Sequence, residues 1–151
     1  MSELDKNVDH PQHYLNAKVH MDLDFEPIDL CENYNFCIGN ALKYVLRADF
    51  KGKRLEDLMK ADWYLHRELE ALEQDPDSWV SPKDFNRYLY KAFRESNHFV
   101  ALILNENGYY TVESLSKAIE AIEDYVTEHE RVANSEKLFE SIETEKDLPY
   151  A

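Results

Sequence analysis

The stretch Arg54-Leu55-Glu56-Asp57-Leu58-Met59-Lys60-Ala61-Asp62-Trp63-Tyr64-Leu65-His66-Arg67-Glu68-Leu69-Glu70-Ala71-Leu72-Glu73-Gln74 decides the fold. Leu55, Leu58, Leu65, Leu69 and Leu72 recur at helical spacing and make one apolar stripe. Glu56 and Asp57 fall in the first turn, where the helix dipole favours acids. These residues predict one long helix. Asp62 interrupts its stripe between Leu58 and Leu65, and two roles are open to it. It is either a carboxylate at the stripe's edge, paired with a lysine or arginine, or a buried acid facing a ligand pocket.

On the N-terminal side, residues 1–23 are polar and irregular, with Pro11 among His10, His13, Tyr14 and His20. Asp24 is placed to cap a short helix over about 26–36, with Pro27 in its first turn. Gly39 punctuates, and a second helix is expected over about 40–50, with Leu42, Val45 and Leu46 inward and Asn40, Lys43 and Arg47 on another face. Lys51-Gly52-Lys53 reads as a tight turn. On the C-terminal side, 74–78 is a linker, and Ser81-Pro82 starts a helix reaching about Leu104. Asn105 to Gly108 is a turn. Thr111 then caps a helix over about 112–133, followed by a last amphipathic turn or two around Leu138, Phe139 and Ile142. Only three glycines occur and strand-like alternation is rare. The expected class is all-α, a compact bundle of four to six helices. A shift of 57 residues pairs Phe36 with Phe93, Asn40 with Asn97, and Glu56-x-Leu58-x-Lys60-Ala61 with Glu113-x-Leu115-x-Lys117-Ala118. Two related helical hairpins, or convergence of amphipathic helices, would both give that pattern.

The chain has 151 residues and a formal net charge of -14. At this length about 70% of the unfolded surface can be buried, enough for one core without staples. No apolar run approaches the length of a membrane span, and the N-terminus lacks a signal peptide's basic and apolar blocks, so a cytoplasmic protein is expected. Cys31 and Cys37 match neither a redox nor a zinc spacing and read as reduced thiols. The acidity disfavours DNA and anionic membrane as ligands. Walker A, GxGxxG, GxSxG and HExxH motifs are absent, which excludes conventional P-loop kinases, Rossmann enzymes, serine hydrolases and zincins.

The charge is uneven. Residues 40–67 net +3, whereas 1–39 net -6 and 111–151 net -7. Lys43 and Arg47, one helical turn apart, can approach a single anion, with arginine supplying a planar fork and lysine a mobile point charge. Lys51 and Lys53 flank a glycine turn that leads into a helix N-terminus, which favours anions. Glu56 and Asp57 could hold a magnesium ion with its phosphate ligands. His10 and His13 could contact metal or phosphate, and Tyr14 could stack on a base. The plain alternatives are a solvated helix face with paired cations, acids serving only the dipole, and surface histidines.

Four blocks carry a family resemblance. They are His10-Pro11-Gln12-His13-Tyr14, Glu26-Pro27-Ile28-Asp29-Leu30-Cys31-Glu32, Gly39-Asn40-Ala41-Leu42-Lys43-Tyr44-Val45-Leu46-Arg47-Ala48-Asp49-Phe50-Lys51-Gly52 and Glu56-Asp57-Leu58-Met59-Lys60-Ala61-Asp62-Trp63-Tyr64-Leu65-His66-Arg67. Over about residues 9–69 the chain resembles the SaV-like phage and prophage family of unknown function, which includes a P-loop-lacking nucleotide kinase of T-odd coliphages. The resemblance implies transfer of the ATP γ-phosphoryl to a deoxynucleoside monophosphate with Mg2+. Lys43 and Arg47 would clamp phosphates as the catalytic pair, while Asn40, Lys51 and Lys53 assist. His10, His13 and Tyr14 would line the nucleotide pocket, and Glu56 or Asp57 would place the metal. Asp49 stands where the family usually has glycine, and Asp62 where it is usually apolar. On this reading residues 1–74 form a SaV-like helical module with an irregular N-terminal segment. Residues 75–151 form a helical hairpin with an acidic tail, within one compact domain.

A different class of function is also compatible with the charge. An acidic phage protein could occupy the basic nucleic-acid-binding groove of a host defence nuclease, a CRISPR or restriction effector. Glu120, Glu123, Asp124, Glu128 and Glu130 would then imitate phosphates. A homo-oligomer assembled through the C-terminal half is a third, plainer expectation.

Overall fold

The structure is a computed structural model that describes the backbone of residues 19–20, 24–48, 53–79, 81–83 and 86–146, and the side chains of 25–48, 53–79, 81–83 and 86–132. Among the described residues the fold is all-α, as composition and periodicity predict. Six helices are present: α1 (Pro27–Cys31), α2 (Phe36–Arg47), α3 (Arg54–Gln74), α4 (Arg87–Ser96), α5 (His98–Ile103) and α6 (Val112–Lys146). A 3-10 turn at Pro76–Ser78 follows α3. Two-residue strands β1 (Val19–His20) and β2 (Asp24–Phe25) pair antiparallel, Val19 opposite Phe25. They are too short to leave a readable alternation.

Asp24 lies in that bridge rather than at a cap. The N-cap of α1 is Glu26, whose N–H donates to Asp29 Oδ2 at 2.8 Å in a capping box, with Pro27 at the first position. The helix is shorter than the expected 26–36, because Asn33 Nδ2 donates to the Asp29 carbonyl at 2.8 Å and so competes with the backbone ladder. Asn35 then caps α2, its side-chain oxygen accepting from Ile38 N at 3.0 Å. Gly39 therefore sits inside α2 and does not bound it. A Cβ there would stand 2.9 Å from the Cys31 carbonyl oxygen, so the glycine permits α1 to end against α2.

The core is the inner face of the α2–α3 hairpin closed by α4, α5 and α6. Ile38, Ala41, Leu42, Val45 and Leu46 meet Leu58, Ala61, Leu65 and Leu72, and Leu89, Phe93, Val100, Ile103, Leu115, Ala118 and Ile122 complete the cluster. Buried apolar area at about 25 cal/mol per Å2 is the main source of stability for such a bundle.

The helix expected over 82–104 is two helices starting later, at Arg87 and His98. Asn97 makes the break. Its oxygen accepts from Phe99 N and Val100 N at 3.0 and 3.2 Å, capping α5, while its Nδ2 donates to the Val45 carbonyl at 3.2 Å. The last helix, by contrast, runs through the expected break at 133 to Lys146. No glycine or proline lies between 112 and 146 to stop it.

The 57-residue shift has a partial structural counterpart. Leu58 and Leu115, Ala61 and Ala118, and Leu65 and Ile122 occupy matching buried positions on α3 and α6. Glu56–Lys60 and Glu113–Lys117 form the same i,i+4 ion pair, at 3.2 and 3.0 Å. The match fails at Asn40 and Asn97, since Asn40 lies within α2 and Asn97 separates two helices.

Candidate functional site

The positive segment folds into the α2–α3 hairpin, and its outer side carries a cluster of rings and cations. Tyr44 of α2 stacks on Tyr64 of α3 with centroids 6.0 Å apart and planes 13° from parallel. Phe36 and Trp63 meet Tyr64 edge-on at 5.9 and 5.0 Å. Lys43 Nζ lies 4.4 Å from the Tyr44 centroid, Arg47 Cζ 5.4 Å and Lys60 Nζ 5.5 Å, all within cation–π range. Arg67 lies 5.7 Å from the Trp63 ring. Large apolar surface stays open to solvent beside these charges, with Phe36 74% and Trp63 58% exposed. Asn40 orders the cluster. It donates to the Phe36 carbonyl at 2.8 Å and accepts from Lys43 Nζ at 3.0 Å.

Arg47 and Asp57 meet each other. Nε and Oδ2 are 3.6 Å apart, the side chains are 11% and 2% exposed, and neither of these two atoms has a hydrogen-bond partner. The pair joins the last turn of α2 to the first turn of α3, where each charge also suits its helix dipole. Glu56 turns the other way, to Lys60 at 3.2 Å and Lys53 at 3.9 Å, and Lys60 holds its carboxyl below the usual range. Glu56 and Asp57 thus face different partners and are not brought together as two ligands of one metal. Lys53 is exposed at the start of α3. His10, His13, Tyr14, Asp49 and Lys51 lie outside the described residues.

Among the described residues the stripe-breaking Asp62 pairs with neither a lysine nor an arginine. His66 Nε2 is 3.6 Å from its Oδ2 and 2.8 Å from Glu123 Oε1 on α6. Burial and the neighbouring Glu123 push the Asp62 carboxyl up to about 6. The hydrogen bond to Glu123 raises His66, and the same bond lowers Glu123. Asp62-x-x-x-His66 was visible in the sequence as two ligand-type residues on one helical face. Glu123 comes from a distant helix, although the 57-residue shift maps His66 onto it.

Elsewhere, a cleft of about 430 Å3 is lined by Leu72, Pro76, Trp79, Tyr109, Tyr110 and Val112, among others, and among the described residues no charged side chain lines it. Cys31 and Cys37 are free thiols, and burial pushes Cys31 up to about 12. No helix among the described residues is long and apolar enough to cross a membrane.

No curated protein and no solved structure gives a significant match to the chain. Residues 8–66, which include α1, α2 with Lys43 and Arg47, and the part of α3 with Asp57, Lys60 and His66, match the model of a protein family of unknown function, DUF3310.

Proposed function

We propose that the outer side of the α2–α3 hairpin binds a nucleotide. The observation that carries this reading is the pair Lys43 and Lys60, from two helices, converging on a Tyr44 ring that is stacked on Tyr64. Beside this half-buried stack the exposed rings of Phe36 and Trp63 offer π-faces to a base, a contact worth about 1–3 kcal/mol. Lysines beside them offer point charges to phosphate. Arg47 contributes by closing the hairpin from within, since its guanidinium is directed at Asp57.

A kinase reading of the same face, with Mg2+-ATP as donor and a deoxynucleoside monophosphate as acceptor, rests on the resemblance of the four sequence blocks. Glu56 is the exposed carboxylate of its pair and Asp57 the buried one. The arrangement therefore supports binding more directly than metal-assisted transfer. The alternative of a basic host-defence partner on the acidic half is served less well. Of its five acids, Glu123 is engaged by His66 and Glu128 by Arg131.

Titration with ATP and with deoxynucleoside monophosphates, read by calorimetry and by thermal unfolding, tests the proposal. Lys43→Ala and Lys60→Ala should each weaken binding about tenfold, the loss of one charge-assisted contact. Raised salt should weaken it further. Release of ADP in the same mixtures would extend the reading to catalysis. No binding of any nucleotide at millimolar concentration, or binding indifferent to both lysines, rules it out.

A further inference from the structure

The seam between α3 and α6 holds three potential ligands that the nucleotide reading does not use. Asp62 and His66 are one turn apart on α3, and Glu123 reaches them from α6. One donor atom from each lies within 4.8 Å of the other two. His66 Nε2 is already 2.8 Å from Glu123 Oε1 and 3.6 Å from Asp62 Oδ2. Asp62 Oδ1 is buried and has no hydrogen-bond partner.

That arrangement has a charge problem. Two carboxylates held this close disfavour each other's ionisation, and a neutral imidazole between them offers no compensation. Either protons or a cation must supply it. The unpartnered Oδ1 shows that the protein's own hydrogen bonds do not fully satisfy the group, in a place where an unmet polar atom is costly. A nitrogen and two carboxylate oxygens form a donor set for a first-row divalent ion, whereas magnesium and calcium prefer oxygen alone. Ligands about 2.0–2.2 Å from zinc stand roughly 3.3 Å apart in a tetrahedral site. The 2.8 Å between His66 and Glu123 would open by about 0.5 Å, the 3.6 Å between His66 and Asp62 would hardly change, and no donor pair, all lying within 4.8 Å, would close by more than about 1.5 Å. His66 and Glu123 are each about half exposed, which leaves their side chains room to make that adjustment.

We propose that Asp62, His66 and Glu123 bind a divalent first-row transition ion, clamping α3 to α6 and leaving remaining coordination positions to water. Coordination uses the Nε2 lone pair, so a neutral ring keeps its single proton on Nδ1, an imidazolium gives up its Nε2 proton to solvent, and any proton held between the carboxyls is released as well; affinity therefore falls with acidification. The site needs no part of the nucleotide-binding face, and the two readings stand or fall separately.

The full chain, treated with a chelator and desalted, is titrated with Zn2+ by calorimetry and thermal unfolding, and with Co2+ by visible absorption. The expected result is one zinc per chain attributable to this site, unfolding raised by several degrees, and the d–d absorption of a low-coordinate cobalt site. His66→Ala and Asp62→Asn should each weaken binding more than about 100-fold, beyond what loss of an outer-shell partner costs. His129→Ala, on the same α6 but outside the cluster, should leave it unchanged and so controls for adventitious binding at other histidines. His66 is exposed, so His66→Ala should retain its helical circular dichroism. Absence of binding at millimolar zinc overturns the proposal. Binding that survives both His66→Ala and Asp62→Asn overturns it equally.

Discussion

Arg47 Nε stands 3.6 Å from Asp57 Oδ2 at the junction of α2 and α3, with both side chains almost wholly out of water. An ion pair in such a position contributes little when whole and costs a great deal when halved, because one unpaired charge stays buried. Arg47→Ala or Asp57→Ala should therefore destabilise the fold by about 3–5 kcal/mol. The double replacement Arg47→Met with Asp57→Leu should recover most of that loss. Urea unfolding of the three variants checks it. Equal, small losses in both single variants would show that water reaches the pair and that neither charge is left buried alone.

Acid should strengthen the metal-free protein before it weakens it. The Asp62 carboxyl, ordinarily near 3.8, keeps its proton up to about 6 in the fold, so the folded state binds more protons between those values. Stability from this group therefore rises as pH falls from about 6 towards 4. His66 is also raised, so its contribution is likewise present at lower pH and lost as pH climbs through its folded value. Glu123 is lowered and acts in the opposite sense, its contribution being lost only below its ordinary 4.5. The gain from Asp62 should be on the order of 1 kcal/mol once screening of a partly exposed group is allowed for. Unfolding series with chelator present at several pH values would show it, and Asp62→Asn should remove its share.

Gly108 should tolerate no side chain. Its φ is +79° and a Cβ there would lie 2.7 Å from the Tyr90 ring, while its carbonyl accepts from Tyr34 OH at 2.6 Å. Left-handed strain and a fixed aromatic neighbour act together, so Gly108→Ala should cost about 2–4 kcal/mol. A midpoint of denaturation within error of the parent would show that the 105–108 turn relaxes freely.

These cases show which features were legible in the sequence. The long helix was readable because five leucines repeat with one period, and the turn at 105–108 because Asn105, Asn107 and Gly108 are turn residues. Helix ends were misread where an asparagine has two uses. Asn33 and Asn97 send side chains to carbonyls or caps that only tertiary structure supplies, and Asn97 divides a periodic stretch by bonding to Val45 on another helix. Gly39 looked like a boundary because a close approach and a helix stop give the same residue. Within the candidate site, the cations and rings of α2 and α3 were visible as types, and the partners that sort them were not. Spacing alone joins Lys43 to Arg47, whereas burial turns Arg47 to Asp57.

His66 and Glu123 are 57 residues apart, the same interval that relates α3 to α6, and they touch at 2.8 Å. Contact between corresponding positions is what an approximate two-fold axis produces. Exchanging the two residues should then preserve the contact. His66→Glu alone sets three carboxylates together and should destabilise, by about 0.5–1 kcal/mol for groups this exposed. Adding Glu123→His returns one imidazole and two carboxylates to the seam and should restore most of the loss. A double-mutant cycle by chemical denaturation, with chelator present, measures the coupling. Losses that simply add would mean that the two hairpins meet here without the geometric equivalence their sequences suggest.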